Sequence, residues 1–536
     1  MAIKPSEARL WRLLSAGYFP AELPPPFQTA EFARFATDFN SKWDQKKIFK
    51  FWTKPEHFSS PRYGHARRKL SIVNPVNQLA VAALLASNWF SIVRALKRPT
   101  SSEFRPKFVL KGKGRAVTGV DFDRVARRRI EILSRFGRYV KTDIARFYPS
   151  IYTHSIAWAI TGKSYAKANH NSSAFKKSFA NKLDSAVRSG QEGQTVGIPI
   201  GPDTSRVISE LIAVEIEAEL QKSLCNWRER SVRHVDDMLI GIDETESEAD
   251  VLSKLSASLY EYELELNASK TEVHGLGHAH APEWIHYIRN YSLGPSKAKQ
   301  RDDLDSYFEH ALYLADRNPQ ENVLLFSCKR ACSLQIDPEN HDHLIRWLLY
   351  CCRRAPSCLR FVSEHLAAKP PGAGPIHTEI SDFILQQIPR KAEAAHTEEL
   401  AWLLFWAREI KLSIPDHVIN SCSKVRSSIS ALIALDIASS GHISGTLDDT
   451  FWRSFCSEEG LKSEMWLVAY EASKRQWWSS PQNCKFIIQH DFFSDLFSKN
   501  VSFYDRSKKA KAMRPTPFLK ASMAEQINWA ASIPEF

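Results

Sequence analysis

The stretch RHVDDMLIGI, residues 233–242, constrains this chain more than any other. Two adjacent carboxylates, Asp236 and Asp237, interrupt a run of strand-forming residues. Such a run folds back on itself, because Asp is a favoured turn residue and the apolar flanks can pair as strands. Read alone, the acids are an ordinary solvated hairpin tip. The alternative is that they hold a cation, and the rest of the chain decides between the two.

Two features precede the doublet in a fixed order. RYVKTDIARFYPSIY (138–152) reads as a strand ending near Asp143 with a turn at Pro149. GIPIGPDTSRVISELIAVEIEAELQKSL (197–224) reads as a Gly/Pro loop feeding a helix that starts at Asp203/Thr204. After the doublet, EADVLSKLSASLYEYELELNASKTEV (248–273) reads as a helix and a short strand. Nucleotidyl transfer by two metals needs this arrangement: carboxylates hold two divalent ions about 3.5–4 Å apart, one activating a hydroxyl and the other holding the leaving pyrophosphate. Magnesium shares its coordination with substrate phosphates, so two protein carboxylates suffice. Adjacent strand residues face opposite sides, which favours Asp236 as the full ligand with Asp237 in support.

Charge distribution agrees with phosphate handling. The net charge is +12, but residues 1–150 hold 29 Lys/Arg against 11 Asp/Glu and the remainder sums to −6. Solvated surface charge explains a modest surplus and not this asymmetry. A chain of 536 residues is expected to form two or three domains. No apolar run is long enough to span a bilayer and MAIKPSEARLWRLL lacks the core of a secretory signal, so a cytoplasmic protein without membrane contact is expected. Nine cysteines in no Cys-x-x-Cys pairing imply free thiols and no structural zinc.

The organisation changes along the chain. GYFPAELPPPF (17–27) is Pro-rich and irregular; RRKLSIVNPVNQLAVAALLASNWFSIVRAL starts extended, breaks at Asn74-Pro75 and continues as helix; VLKGKGRAVTG (109–119) reads as a basic hairpin. Beyond about residue 300, segments such as HDHLIRWLLYCCRRA, EELAWLLFWAREI and SISALIALDIASS are amphipathic, with no clear strand pattern. They read as stacked helix pairs, either an irregular array or a regular solenoid.

KTDIARFYPSIY, GIPIGPDTSR and RHVDDMLIG together resemble the palm motifs of reverse transcriptases, and LELNASKTEV resembles the element that follows them. Where most members carry Tyr-x-Asp-Asp this chain has His234 in place of Tyr, and Ile200 stands where the loop usually has Gln. These departures, with the Pro-rich segment and the helical C-terminal part, resemble the bacterial abortive-infection branch, the AbiK-like reverse transcriptases. The wider resemblance covers about residues 15–290. It implies an α+β right-hand polymerase of fingers and palm over residues 1–300, followed by an all-α HEAT-like helical domain over 301–536.

The resemblance also implies roles. Asp143 and Asp236 bind two magnesium ions, manganese being the substitute, and Ile144 lends a backbone carbonyl. Tyr148 falls at the steric-gate position, where a bulky ring clashes with a ribose 2′-hydroxyl; core packing is its plainer reading. Lys113 and Arg115 are candidates to grip the triphosphate, with a solvated loop as the alternative, and Gly201 joins them as a nucleotide-side residue. Arg67, Arg68 and Lys69 are harder to rank. Lys270 matches the position that protonates departing pyrophosphate, though a surface lysine reads equally well. His234 reads more readily as a packed core histidine than as a residue facing the primer end.

Three activities are in contention. The first is a protein-primed, template-independent DNA polymerase of antiphage defence, a homo-oligomer whose dNTP substrates become single-stranded DNA covalently attached to the enzyme. The second is an RNA-templated defence reverse transcriptase using a bound noncoding RNA. The third is a catalytically dormant helical-repeat scaffold. No side chain, Tyr18 and Tyr63 included, is singled out as a primer.

Overall fold

The computed structural model describes residues 4–112, 114–120, 122–275, 283–478 and 484–511. The fold is mixed and helix-rich, with several small sheets. Strands β1 (Glu56–Pro61) and β2 (Arg67–Ile72) form one antiparallel hairpin. Strands β3 (Phe104–Phe108) and β4 (Val117–Val120) form a second, irregular between Phe104 and Lys107. The basic stretch 109–119 is therefore mostly the connection of that hairpin, and its first strand lies further upstream than expected.

The central sheet comprises β5 (Arg138–Thr142), β6 (Ser231–His234), β7 (Asp237–Ile242) and β8 (Glu272–Gly275), in the order β6-β7-β5-β8 and antiparallel throughout. MLIGI reads as a continuous apolar run because both sheet faces are covered. Met238, Ile240, Ile242 and Val140 belong to the main core, while Leu239, Val232 and Tyr139 meet Val125 and Ile132 of the Phe122–Arg135 helix. Side chains alternate between the faces, so each face receives every second residue. Burying each such aliphatic side chain stabilises by about 1.5–3 kcal/mol.

The helix expected from Asp203 runs from Asp203 to Ser223 and is buried along most of its length. The 75–96 segment divides into Pro75–Ser87 and Trp89–Leu96, bent by 70° at Asn88. Among the described residues no single helix is long and apolar enough to cross a membrane. That bent pair passes by composition, and its first helix is buried in the core along nearly its whole length.

From Glu283 onward the regular elements among the described residues are helices, apart from a two-residue parallel pairing of Ile414–Pro415 with Ile443–Ser444. These helices do not stand apart from the first half, since one buried apolar cluster extends from Leu10 to Tyr504. The indole of Trp402 donates to Glu22 O (2.8 Å), and the Asn74 amide donates to Leu461 O (2.8 Å). Arg67 forks onto Glu399 (2.8 and 2.6 Å). The Pro-rich segment is irregular because it is held edge-on: Phe27 bridges Tyr504, Gln28 N donates to Phe503 O (2.9 Å) and Asp505 N donates to Pro26 O (2.7 Å).

Candidate active site

The register of the central sheet brings the acids together. Thr142 is opposite Met238, so the next residue of each strand places Asp143 beside Asp237. Ile144 N then donates to Asp236 O at 3.3 Å. On the other side Asn267 N donates to Asp143 O (2.9 Å), Ala145 N donates to Glu265 O (2.8 Å), and Ile144 bridges Leu266. The Asp143 backbone is thus gripped between the acid doublet and the loop that carries Lys270.

The doublet straddles the end of a two-residue turn: His234 pairs with Asp237, the first residue of β7, and Val235-Asp236 lie between them. Val235 has φ 58°, a left-handed conformation that a β-branched residue rarely adopts. Arg233 holds it there. The Arg233 guanidinium donates to Val235 O (2.7 Å), to both oxygens of Glu210 (3.0 Å each) and to Glu217 (2.8 Å). Glu210 and Glu217 lie two turns apart on one face of the Asp203–Ser223 helix, and Ser101 N and Oγ also donate to Glu217 (2.9 and 2.6 Å). Burial alone would lower the Arg233 pKa, but Glu210 and Glu217 outweigh it and hold it above its usual value. Sequence reading passed over these three residues. Their only signal was charge on a helix and strand otherwise destined for the core.

Asp143 is 4 % exposed. Its Oδ2 is ion-paired with Lys270 Nζ, whereas its Oδ1 is buried with no hydrogen-bond partner. A buried carboxylate oxygen without a donor is costly unless a cation completes it. Burial lowers the Lys270 pKa, but Asp143 and then Asp237 overcome this and keep it above the ordinary lysine value. Asp236 and Asp237 are half-buried and accessible. The charge of Asp236 acts on Tyr148 and that of Asp237 acts on Lys270. Among the described residues no three His, Cys, Asp or Glu side chains form a preassembled metal cluster. A divalent ion at Asp143 would therefore be completed by phosphate and water oxygens, as magnesium commonly is.

Tyr148 is buried on the short Phe147–Ser150 helix, and its phenolic oxygen accepts from Ser209 Oγ (2.9 Å). Burial raises its pKa above the usual phenol value; Ser209 and Arg206 pull it back, and Asp236 and Glu210 push it up. His234 is packed edge-on to Phe122, with ring centroids 5.2 Å apart.

Arg115 is used differently from the expectation. It donates to Asp203 Oδ1 (2.9 Å), Phe19 O (2.7 Å) and Gly201 O (2.6 Å), bracing the loop that leads into the helix. Gly201 has φ +124°, and a Cβ there would approach Pro20 Cγ to 2.7 Å, so the close approach of this loop to the Pro-rich segment requires glycine. Lys113 lies outside the described residues. Arg67 is committed to Glu399.

Neither a protein-family model nor a curated protein sequence matches the chain. Among solved structures, the chain is similar to apo telomerase from Candida tropicalis at 13 % identity and TM-score 0.26, covering 70 % of this chain and 69 % of that one. It is also similar to telomerase from Candida tropicalis in complex with the TWJ fragment of telomeric RNA (13 % identity, TM-score 0.25, 76 % and 68 % covered). The corresponding complex from Candida albicans gives 11 % identity, TM-score 0.25 and coverage of 75 % and 67 %. At these scores the likeness establishes no shared fold.

Proposed function

We propose that the protein is a nucleotidyltransferase of the reverse-transcriptase type. The observation that carries this reading is the sheet register that sets Asp143 beside the Asp236-Asp237 turn, with one Asp143 oxygen buried and unpartnered. Asp143, Asp236 and the Ile144 carbonyl are the groups that would hold magnesium, with Asp237 in support. Bound there, the metal supplies activation of an attacking hydroxyl and charge neutralisation on the leaving pyrophosphate.

The chain's own residues then divide the work. Arg233 fixes the strained turn through Val235 O, so the doublet does not reorganise when charge develops nearby. Lys270, already held protonated, carries a proton at Nζ within reach of the same acids and delivers it to the departing pyrophosphate. Tyr148, fixed by Ser209, presents the ring that excludes a 2′-hydroxyl.

The particular reading is an abortive-infection polymerase, protein-primed and template-independent, that extends DNA attached to itself. Support comes from the motif set and from the way the helical part packs on residues 22–74, through Trp402, Glu399 and Leu461. Incubating the purified, nuclease-treated protein with dNTPs and magnesium should give a DNA–protein adduct, located by mass spectrometry of peptides bearing nucleotide mass. Activity abolished by RNase would replace this reading with the RNA-templated one. No incorporation under any condition would remove the enzyme reading.

A further inference from the structure

We propose that a basic cleft between the Gln45–Lys50 and Phe179–Ser189 helices binds single-stranded nucleic acid through its phosphates. The cleft, of about 630 Å³, is lined by Lys46, Phe49, Lys176, Lys177, Lys182 and Arg188 among others, and Asp44 is the one acid in its lining. Asp44 accepts from Lys46 N (2.8 Å) and so caps its own helix. Arg188 is held in place by Asp184 (3.1 Å), which also binds His154 (2.6 Å). Among the described residues, none of the four lysines makes a side-chain ion pair. The segment 162–190 as a whole carries six Lys/Arg against Asp184 alone.

Five cations gathered around one cleft repel one another, and an anion relieves that repulsion. Their spacing favours a polymer. Lys182 and Arg188 are six residues apart on one helix, about 9 Å along its axis, and Lys46, Lys176 and Lys177 come from two other helices, so the cations are spread along a groove rather than gathered at one point. An aromatic platform follows directly on both elements. Trp52, two residues beyond the Gln45–Lys50 helix, is 62 % exposed and lies against Gly193, in the turn where Gly193 N donates to Arg188 O (2.9 Å). An exposed indole at the end of a cationic groove stacks a base, whereas a free polyphosphate makes no use of it.

This inference rests on the charge and shape of the cleft, so the test keeps chemistry out. Binding of a short fluorescein-labelled oligo(dT) is followed by anisotropy in EDTA, with circular dichroism confirming the fold of each variant. The triple variant Lys176→Glu, Lys177→Glu, Lys182→Glu should bind at least about tenfold more weakly. Its slope of log affinity against log salt should fall by about 2, since each single-strand phosphate contact contributes about 0.7. Trp52→Ala should weaken oligonucleotide binding about tenfold while leaving tripolyphosphate binding unchanged. The corresponding triple glutamine variant removes charge without reversing it; wild-type affinity and slope in that folded variant would overturn the proposal. So would an equal effect of Trp52→Ala on tripolyphosphate and oligonucleotide, which would leave an anion site only. Because no nucleotide is consumed, either result is independent of whether the protein transfers nucleotides.

Discussion

Two charge systems flank the acid turn, and they are built in opposite ways. Around Arg233 every partner is sealed: the side chains of Arg233, Glu210 and Glu217 are 1 %, 2 % and 4 % exposed, and the guanidinium is matched by two carboxylates and a carbonyl. Around Asp143 the pairing is incomplete, because Lys270 satisfies one oxygen from a partly exposed position and the other oxygen has no donor. A fully satisfied buried network fixes one geometry, whereas a deficient one beside it leaves a polar group unpaired. The closed system gives the turn its shape, and the open one leaves a single carboxylate oxygen of Asp143 without a donor.

The largest effect should come from the open system. Asp143→Asn should lower nucleotide incorporation by about 1000-fold or more, measured with labelled dNTPs, while changing thermal stability little. Significant residual incorporation would break the comparison. The closed system should respond in the opposite sense, through stability. Arg233→Met strands two buried carboxylates and should cost about 3–5 kcal/mol in chemical denaturation. Replacing Glu210 and Glu217 with Leu as well should restore most of that loss, because removing a whole buried network is far cheaper than breaking it.

A third carboxylate environment sharpens the contrast. Burial pushes Glu398 in the helical part up to about 8, Arg360 countering only in part. Between the ordinary value of 4.5 and about 8 the unfolded chain loses this proton while the folded chain keeps it. Stability therefore falls as pH rises through that window and levels off above it, by an amount on the order of 5 kcal/mol. Glu398→Gln should flatten that fall in melting curves taken across pH. The smallest effects concern Tyr148. Tyr148→Ala should raise the ratio of ribonucleotide to deoxynucleotide incorporation about tenfold, and an unchanged ratio would remove it from the gate. Tyr148→Phe should keep the discrimination and cost about 1 kcal/mol of stability for the lost Ser209 bond.

Much of the local order was readable. Asn74-Pro75 marked a strand-to-helix break, Asp203 a helix start and RHVDDMLIGI a hairpin, because turn chemistry and apolar periodicity act over a few residues. Arg115 and Arg67 were not readable. A basic residue in a hairpin looks the same whether it faces substrate or, as here, Asp203 or Glu399, residues 88 and 332 positions away. The same holds for Arg233, whose neighbours on the strand gave no sign that two helix carboxylates converge on it.

By itself the sequence determined several of the strands, helices and turns, and that acids stand at a strand end and a hairpin tip. The tertiary structure alone decided that β5 and β7 pair in the register that sets those acids side by side, that a buried arginine holds the turn, and that the helical half grips the Pro-rich segment. Pairing, charge burial and long-range packing join residues from 16 to 380 positions apart, and no local pattern of polarity encodes which of them will meet.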